Sequence, residues 1–589
     1  MTVTREAGTV PARLAARAGA HPDDVAMEVV DGAALTFGAW DTHANQVARG
    51  LAARGVERGD RVVVPCSTED WPAYAVAYVA VQRAGATAVP VLRTLGDEHL
   101  RRVTAAAGAV GVLGDADSAV PGVWCSNVAE LARERSGAPF DSPAEPGDDA
   151  EILYTSGTTG VPKGVVASHA NLLFTHTTEP RRAGVKVVLH AVPPGSLAGQ
   201  GLLLQPLDAT RHRVVTMTRY DPETFLAAVP RLGVTDVVLV PALALSLIEH
   251  AGTHDLGSVA VVRTMSAPIP PVALERLARM FPRAATVNLY TTTESWPART
   301  RIRFDPARPG SVGRSEGGGA VRITGDDGHA VPAGTEGHVE LSLSGAPVRR
   351  YLDDPRAGGA VFLPGGWVRT GDVGRLDTDG FLFLVDRNAD LVISGGLNVS
   401  TIEVEAAIQE FPGVAETAVF GLPHRVLGEY VVAAVRQGAG YERAALNAFL
   451  AARLGPVKAP KRIIEVTDFP RNAMGKVVKR ELREWLANTQ ETDATPAPDT
   501  EEARGLLRFW ADALGTDTVP WGVSFVELGG TSLSAMEIVG RVRGELRRQV
   551  SQRDLFEVLD LREFAARVAA APEAEQVAAL GPIRRVRRG

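Results

Sequence analysis

The chain has 589 residues, 45% of them hydrophobic, and a formal net charge of −7. That supplies apolar material for several buried cores and too acidic a balance for wholesale nucleic-acid binding. Only Cys66 and Cys125 are present, which excludes a disulfide framework or a cysteine-rich zinc site and points to a reducing compartment. Met1 to Ala20 lacks the charged–apolar–cleavage order of a leader, and the apolar run Ala75–Val81 is far below the ~20 residues that span a bilayer. A cytoplasmic protein with no nucleic-acid and no membrane partner is expected.

From Leu35 to Val91, strand-like runs such as Arg61–Pro65 alternate with helix-like ones such as Trp40–Arg54, the rhythm of an α/β protein. Next comes Leu153-Tyr-Thr-Ser-Gly-Thr-Thr-Gly-Val-Pro-Lys-Gly164, a short apolar strand entering a loop of hydroxyls and glycines and then a lysine. Glycines let backbone amides turn inward toward a polyphosphate. The hydroxyls of Thr155, Ser156, Thr158 and Thr159 add donors around Gly157, and Lys163 adds charge. No Gly-Lys-[Ser/Thr] occurs in this segment, so it is not a Walker loop. The α/β rhythm resumes over Val187–Leu289. From Gly310 to Leu384, Gly and Pro punctuate short runs such as Gly337–Ser342, which reads as a β-rich section. A smaller α/β unit follows the change of character at Asp386–Asn398 and runs to about Leu486. Its first helix opens on a capping box, Ser400-Thr-Ile-Glu403, and its strand candidates are Thr417–Gly421 and Tyr430–Val435. Asn488–Glu502 has almost no large apolar residues and reads as a linker. Beyond it, Leu506, Trp510 and Leu514, then Ile538, Val542 and Leu546, recur four apart and predict a small helical domain over Ala503–Ala571. The tail bearing Arg584, Arg585, Arg587 and Arg588 is either a polyanion contact or a solvated, frayed terminus.

The loop from Leu153 to Gly164 resembles the phosphate loop of the adenylate-forming superfamily, which includes acyl-CoA synthetases, luciferases and the adenylation domains of nonribosomal peptide synthetases. Further segments resemble that family's landmarks in order over roughly Leu35 to Leu482. Ser266-Ala267-Pro268 is similar to the loop whose backbone meets adenine. Asn288-Leu-Tyr-Thr-Thr-Thr-Glu294 is similar to the segment in which an aromatic stacks on adenine, a threonine meets the α-phosphate and a glutamate holds Mg²⁺. The resemblance implies these roles for Tyr290, Thr293 and Glu294. A glycine usually follows the aromatic, and Thr291 stands there, narrowing the acid pocket. Trp367-Val-Arg-Thr-Gly-Asp372 resembles the motif whose aspartate takes both ribose hydroxyls, and Arg387 matches the second ribose-side residue. Pro470-Arg-Asn-Ala-Met-Gly-Lys476 resembles the C-terminal catalytic loop, whose lysine stabilises charge between the carboxylate and the α-phosphate. Ser394-Gly-Gly-Leu-Asn-Val399, with Gly395 and Gly396, resembles the loop lining the thiol channel. Ala389 occupies the family's hinge position, often aspartate or lysine.

After the linker, Ser524-Phe-Val-Glu-Leu-Gly-Gly-Thr-Ser-Leu533 precedes a helix and resembles the attachment site of carrier proteins, with 4′-phosphopantetheine on Ser532. Gly529 and Gly530 open the loop, and a serine at a helix N-terminus sets its phosphodiester on the positive end of the dipole. The expected class is α/β: an adenylation core domain (1–386) of several subdomains, a mobile α+β lid (387–487), a linker (488–502), a four-helix carrier bundle (503–572) and a basic tail (573–589).

The implied cofactors are ATP, Mg²⁺ and covalent phosphopantetheine. The implied partners are a small carboxylic acid, a phosphopantetheinyl transferase and a downstream condensation or acyltransfer enzyme. Ala191–Gly201 aligns with the region shaping the acid pocket and contributes Ser196, Gly199 and Gln200; many relatives have a histidine near Ser196. α-Amino-acid-activating relatives carry an aspartate here, whereas Ala191–Gly201 contains no acidic residue. An unpaired buried ammonium costs several kcal/mol, which favours an aryl or alkyl acid without an α-amine; Asp208 is a distant alternative anchor. Trp296 either walls the pocket or belongs to the core, and His169, His190 and His424 read as fold histidines. The leading expectation is an acid–carrier ligase serving as a loading module. The alternatives are a CoA ligase and a non-catalytic scaffold whose carrier is loaded in trans.

Overall fold

Buried apolar runs set the frame. In the computed structural model, Lys186–His190, Asp236–Leu239, Val261–Thr264 and Ala285–Tyr290 lie side by side in parallel. Val188, Leu189, Val237, Val238 and Val262 are fully buried, as expected of parallel strands covered on both faces. The structure describes residues 8–115, 120–155, 163–176, 184–250, 254–387, 390–394, 397–424, 428–472, 475–490, 500–516, 519, 521, 525, 528, 530, 532–558 and 561–573.

These four strands belong to a 14-stranded sheet. The β-rich section expected after Gly310 is part of the same ladder: Thr300–Arg303 turns back antiparallel on Ala285–Tyr290, and Ser311–Ser315, Leu382–Arg387, Trp367–Leu376, Gly337–Leu343 and Gly319–Thr324 follow in order. A second, seven-stranded sheet is parallel through Trp124–Ser126, Gly111–Leu113, Arg61–Cys66, Thr87–Leu92 and Asp149–Thr155. It ends with two antiparallel pairings, Asp149–Thr155 on Lys163–Ser168 and Lys163–Ser168 on Arg350–Tyr351. The run Ala75–Val81, expected to be too short to span a bilayer, lies in the helix Trp71–Arg83 and is buried throughout. No helix among the described residues is long and apolar enough to cross a membrane.

Two compact units emerge: Met1–Ala389 with Arg471–Val477, and Asp390–Pro470 with Val478–Gly589. The second holds a five-stranded sheet in which Val414–His424 and Gly428–Gln437 pair antiparallel. Half of the expected capping box forms at the helix Thr401–Glu410: Ser400 Oγ accepts from Glu403 N at 3.1 Å, while the Glu403 carboxylate takes the Lys458 ammonium at 2.7 and 2.8 Å. A cation within reach outcompetes the backbone amide for an ionised acceptor.

The helix Lys479–Gln490 runs into the segment read as linker, and Glu501–Leu514 begins inside it; residues 491–499 and the tail from 574 lie outside the described residues. The helices Glu501–Leu514, Ser532–Glu545, Gln552–Glu557 and Leu561–Ala570 enclose a core containing Leu506, Trp510, Ile538 and Val542. A methyl group added at Gly530 would sit 2.4 Å from the Phe525 ring, which itself packs edge-on against Trp510.

His169 and His190 are buried. His169 Nδ1 accepts from Val10 N at 3.3 Å and His190 Nδ1 from Val192 N at 3.1 Å. Burial lowers their pKa values to about 4 and about 3. Both are depressed below the unfolded value of about 6.5, so the stability they contribute is present above that pH and is lost as pH falls. For His169 alone, the loss between about pH 6.5 and 4 is on the order of 3 kcal/mol. Denaturant unfolding across that range should show this decline, and His169→Gln should flatten it.

Candidate active site

Three segments read as nucleotide- or acid-facing leave the same edge of the large sheet. Ala191–Gly201 follows Lys186–His190, Ser266–Pro268 follows Val261–Thr264, and Thr291–Trp296 follows Ala285–Tyr290. This is the carboxyl edge of parallel strands, where open α/β sheets bind ligands. Ser266 holds φ +79, a left-handed conformation that a non-glycine residue seldom adopts. Ser266 and Pro268 are exposed and Ala267 is partly buried.

The hydroxyl-rich loop connects two hydrogen-bonded strands whose last and first residues, Thr155 and Lys163, face each other in register. Ser156, Gly157, Thr158 and Thr159 themselves lie outside the described residues. Lys163 Nζ stands 5.0 Å from the centre of the Tyr351 ring, a cation–π distance. Tyr351 OH donates to Glu294 Oε1 at 3.1 Å. Burial and the Glu294 charge push the Tyr351 phenol well above its ordinary pKa, so it stays a donor. A cation, a phenol and a carboxylate thus meet beside the mouth of the loop. Sequence reasoning missed Tyr351; its only signal was an aromatic in the polar stretch Arg349-Arg350-Tyr351.

The Glu294 turn is anchored from behind. Asn171 is 1% exposed, and its Nδ2 donates to Trp296 O at 3.1 Å and Pro347 O at 2.6 Å. Its Oδ1 accepts from Arg349 Nε at 3.0 Å. Within the turn, Thr291 Oγ1 donates to Ala298 O at 2.8 Å, and Ser295 N donates to Thr292 Oγ1 at 3.1 Å. The Thr291 hydroxyl is therefore engaged in the turn's own closure. Thr293 is half-buried, and Trp296, also half-buried, carries the Arg299 guanidinium 5.3 Å from its ring.

Tyr290 and Asp372 are brought into contact: the phenol donates to Asp372 Oδ2 at 2.6 Å, and both residues are buried. Asp372 also faces Arg387 in strand register. A carboxylate expected to take both ribose hydroxyls has one oxygen engaged by the neighbouring aromatic.

In the acid region, Ser196 caps the helix Leu197–Leu204. Its Oγ accepts from Gly199 N at 2.9 Å and donates to Pro193 O at 3.0 Å. A Cβ at Gly199 would come within 2.2 Å of the Pro193 carbonyl oxygen, so glycine is required there. Gln200 Nε2 donates to Glu151 Oε2 and its Oε1 accepts from Tyr74 OH at 2.7 Å. Tyr78 OH also donates to Glu151, at 3.0 Å. Burial raises the Glu151 carboxyl pKa. Ser196, Gly199 and Gln200 thus have structural duties in this region. Asp208 Oδ1 accepts from Thr210 N at 2.9 Å.

Lys476 lies in a closed turn held by Asn472, with Gly475 in a left-handed conformation. Ser532 is the first residue of a 14-residue helix. Gly395, Gly396 and Ala389 lie outside the described residues, and so do the side chains of Arg387, His424 and Ser532.

Comparison with known proteins agrees with this layout. A family described as AMP-binding enzyme matches residues 14–349, the AMP-binding enzyme C-terminal domain matches 403–476, and the phosphopantetheine attachment site matches 504–568. A feruloyl-CoA synthase of Amycolatopsis sp is 33% identical over 77% of this chain and 94% of its own length. The long-chain-fatty-acid–CoA ligase FadD13 of Mycobacterium tuberculosis is 30% identical over 77% and 94%. ATP-bound MatB from Rhodopseudomonas palustris superposes with a TM-score of 0.73 at 29% identity, covering 82% of this chain and all of that one. An O-succinylbenzoate coenzyme A synthetase from Bacillus subtilis in complex with AMP superposes with a TM-score of 0.70 at 25% identity, covering 80% and 98%.

Asn171→Ala strips two part-buried carbonyls and a buried guanidinium nitrogen of their partner. A buried group left unsatisfied costs about 1–3 kcal/mol, and a carbonyl that water can reach costs less, so the variant should lose about 1–3 kcal/mol in denaturant unfolding. Hydrogen exchange of peptides covering 291–299 should accelerate.

Proposed function

Because this chain belongs to the AMP-binding enzyme family and carries that family's C-terminal domain followed by a phosphopantetheine attachment domain, we propose that it converts a carboxylic acid to an acyl adenylate and loads the acyl group onto the arm at its own Ser532. Enzymes of this family use ATP with Mg²⁺, and the attachment domain carries phosphopantetheine covalently, installed by a phosphopantetheinyl transferase. The observation that carries the reading is the meeting of Lys163, Tyr351 and Glu294 beside the hydroxyl-rich loop, in the same chain as an arm-bearing serine.

The residues fit the ligands. Mg²⁺ favours one or two carboxylate oxygens with phosphates completing its shell, and Glu294 supplies a carboxylate oriented by Tyr351. Lys163 and the hydroxyls and amides of 155–159 bind the phosphates. Tyr290 offers a ring to adenine beside the backbone of Ser266, Ala267 and Pro268. Asp372 and Arg387 take the ribose.

The acid is already ionised at neutral pH, so adenylation needs no general base and depends on alignment and charge stabilisation. A carboxylate oxygen attacks the α-phosphorus, the bond to the bridging oxygen breaks, and pyrophosphate leaves. Thr293 holds the α-phosphate, and Lys476 neutralises charge gathering between it and the acid. When bound, phosphopantetheine supplies the thiol that accepts the acyl group as AMP leaves. Gly395 and Gly396 line its approach, and rotation about Ala389 exchanges the lysine for that channel.

The substrate is an aryl or alkyl acid without an α-amine, because Ala191–Gly201 offers no carboxylate to pair an ammonium. A downstream condensation or acyltransfer enzyme collects the product, making the chain a loading module of a natural-product assembly line. The second reading is a CoA ligase, favoured by the printed activities of the relatives above.

Intact-protein mass spectrometry of the pantetheinylated chain with Mg·ATP and a panel of acids separates the two. The expected result is a gain of one acid minus water at Ser532, abolished in Ser532→Ala while acid-dependent ATP–pyrophosphate exchange persists. Release of acyl-CoA from an unloaded chain supports the second reading instead. Lys476→Ala should slow adenylate formation by about 10²–10³-fold, the usual scale for one electrostatic donor. Failure of every acid to yield AMP would refute adenylation.

A further inference from the structure

One residue sets the backbone of Lys476. Asn472 N donates to Lys476 O at 2.8 Å, and Asn472 Oδ1 accepts from Lys476 N at 2.9 Å. Both polar backbone atoms of the lysine are thereby tied to the residue four positions earlier. Gly475 N donates to Asn472 O at 2.9 Å, and Arg471 Nη1 donates to Gly475 O at 3.0 Å. An antiparallel bridge between Arg471 and Val477, with Val478 N donating to Pro470 O at 2.8 Å, closes the base of the turn. Gly475 adopts φ +75 immediately before the lysine, a conformation costing L-residues roughly 1–2 kcal/mol. The side-chain amide of Asn472 and the missing Cβ of Gly475 therefore serve the same end: they fix the direction in which the Lys476 side chain leaves the backbone.

We propose that Asn472 is a positioning residue specific to the adenylation half-reaction, acting through Lys476. The inference rests on the adenylation reading above and deepens it. A lysine ammonium rides on four rotatable bonds, so its reach is useful only if the Cα–Cβ direction is already set. A displacement of about 1 Å from the productive geometry costs on the order of 10²-fold in rate. Loss of the Oδ1 acceptor removes one of the two bonds by which Asn472 holds the Lys476 backbone and loosens it at the one position where charge between the acid and the α-phosphate must be met. The second half-reaction proceeds after that lysine has done its work, so it is spared. If the Asn472 amide only closed a surface turn, its loss would touch neither half-reaction, or both alike.

The test uses the full-length, pantetheinylated chain. ATP–pyrophosphate exchange over a panel of benzoic, cinnamic and straight-chain acids identifies the best substrate of the wild type. Its synthetic acyl-adenylate then measures transfer to the carrier without adenylation. Asn472→Ala should cut exchange at least tenfold, seen in kcat more than in the KM for the acid, while transfer from the preformed adenylate stays within twofold of wild type. Gly475→Ala, which perturbs the turn from the other side, should show the same split, and Asn472→Asp, which keeps the acceptor, should recover much of the exchange. Thermal unfolding of each variant checks that the fold is retained. Exchange within twofold of wild type in Asn472→Ala, or an equal loss in both half-reactions, overturns the assignment. A wild-type chain that exchanges pyrophosphate with no acid refutes the adenylation reading itself, a different failure.

Discussion

Asn171 has two amide donors and a carbonyl acceptor enclosed where solvent reaches only 1% of the residue. Each needs a protein partner, because a buried polar group without one costs more than the bond is worth when made. They find Trp296 O, Pro347 O and Arg349 Nε, three partners on two segments that the chain brings together from 125 to 178 positions away. The requirement acts as a clamp. The turn bearing Glu294 is fastened at its far end by Trp296 O, and the stretch leading to Tyr351 is fastened through Pro347 and Arg349. Tyr351 can then reach Glu294 across the gap.

A second buried polar group works alongside. Glu151 is fully enclosed in the middle of Asp149–Thr155, the strand that delivers the hydroxyl-rich loop. It is held by Tyr78 and by Gln200 of the helix Leu197–Leu204, which Tyr74 also engages. Burial lowers the pKa of Arg349, and Glu151 and Glu294 act against that shift. The helix Leu197–Leu204, the strand Asp149–Thr155 and the Glu294 turn are thereby joined through side chains with little freedom to rearrange. In that helix Ser196 caps the first turn, Gly199 permits the close approach to Pro193, and Gln200 joins the buried network.

Much of the fold was legible in the residues. The buried parallel strands announce themselves as unbroken Val and Leu runs, and the carrier's helices as apolar positions four apart, because burial imposes those periods locally. Glu294, Lys163, Asp372 and Lys476 stood out because each lies in a short contiguous motif that resembles a landmark of the family. Arg349, Tyr351 and Asn171 did not, since each makes its contact with a residue more than 50 positions away. The capping box at Ser400 was half right for the same reason: the local hydroxyl bond forms, but Lys458 captures the carboxylate from 55 positions away.

Composition, periodicity and contiguous motifs are properties of neighbours along the chain, and they determined the order of the AMP-binding, C-terminal and phosphopantetheine-attachment regions and the serine that opens the helix Ser532–Glu545. Only the tertiary structure decided that Tyr290 spends its phenol on Asp372, that Glu294 is oriented by Tyr351, and that one asparagine amide secures both sides of that contact. Such choices follow from which buried donors and acceptors find themselves enclosed together, and enclosure is set by sheet order and packing across the whole domain.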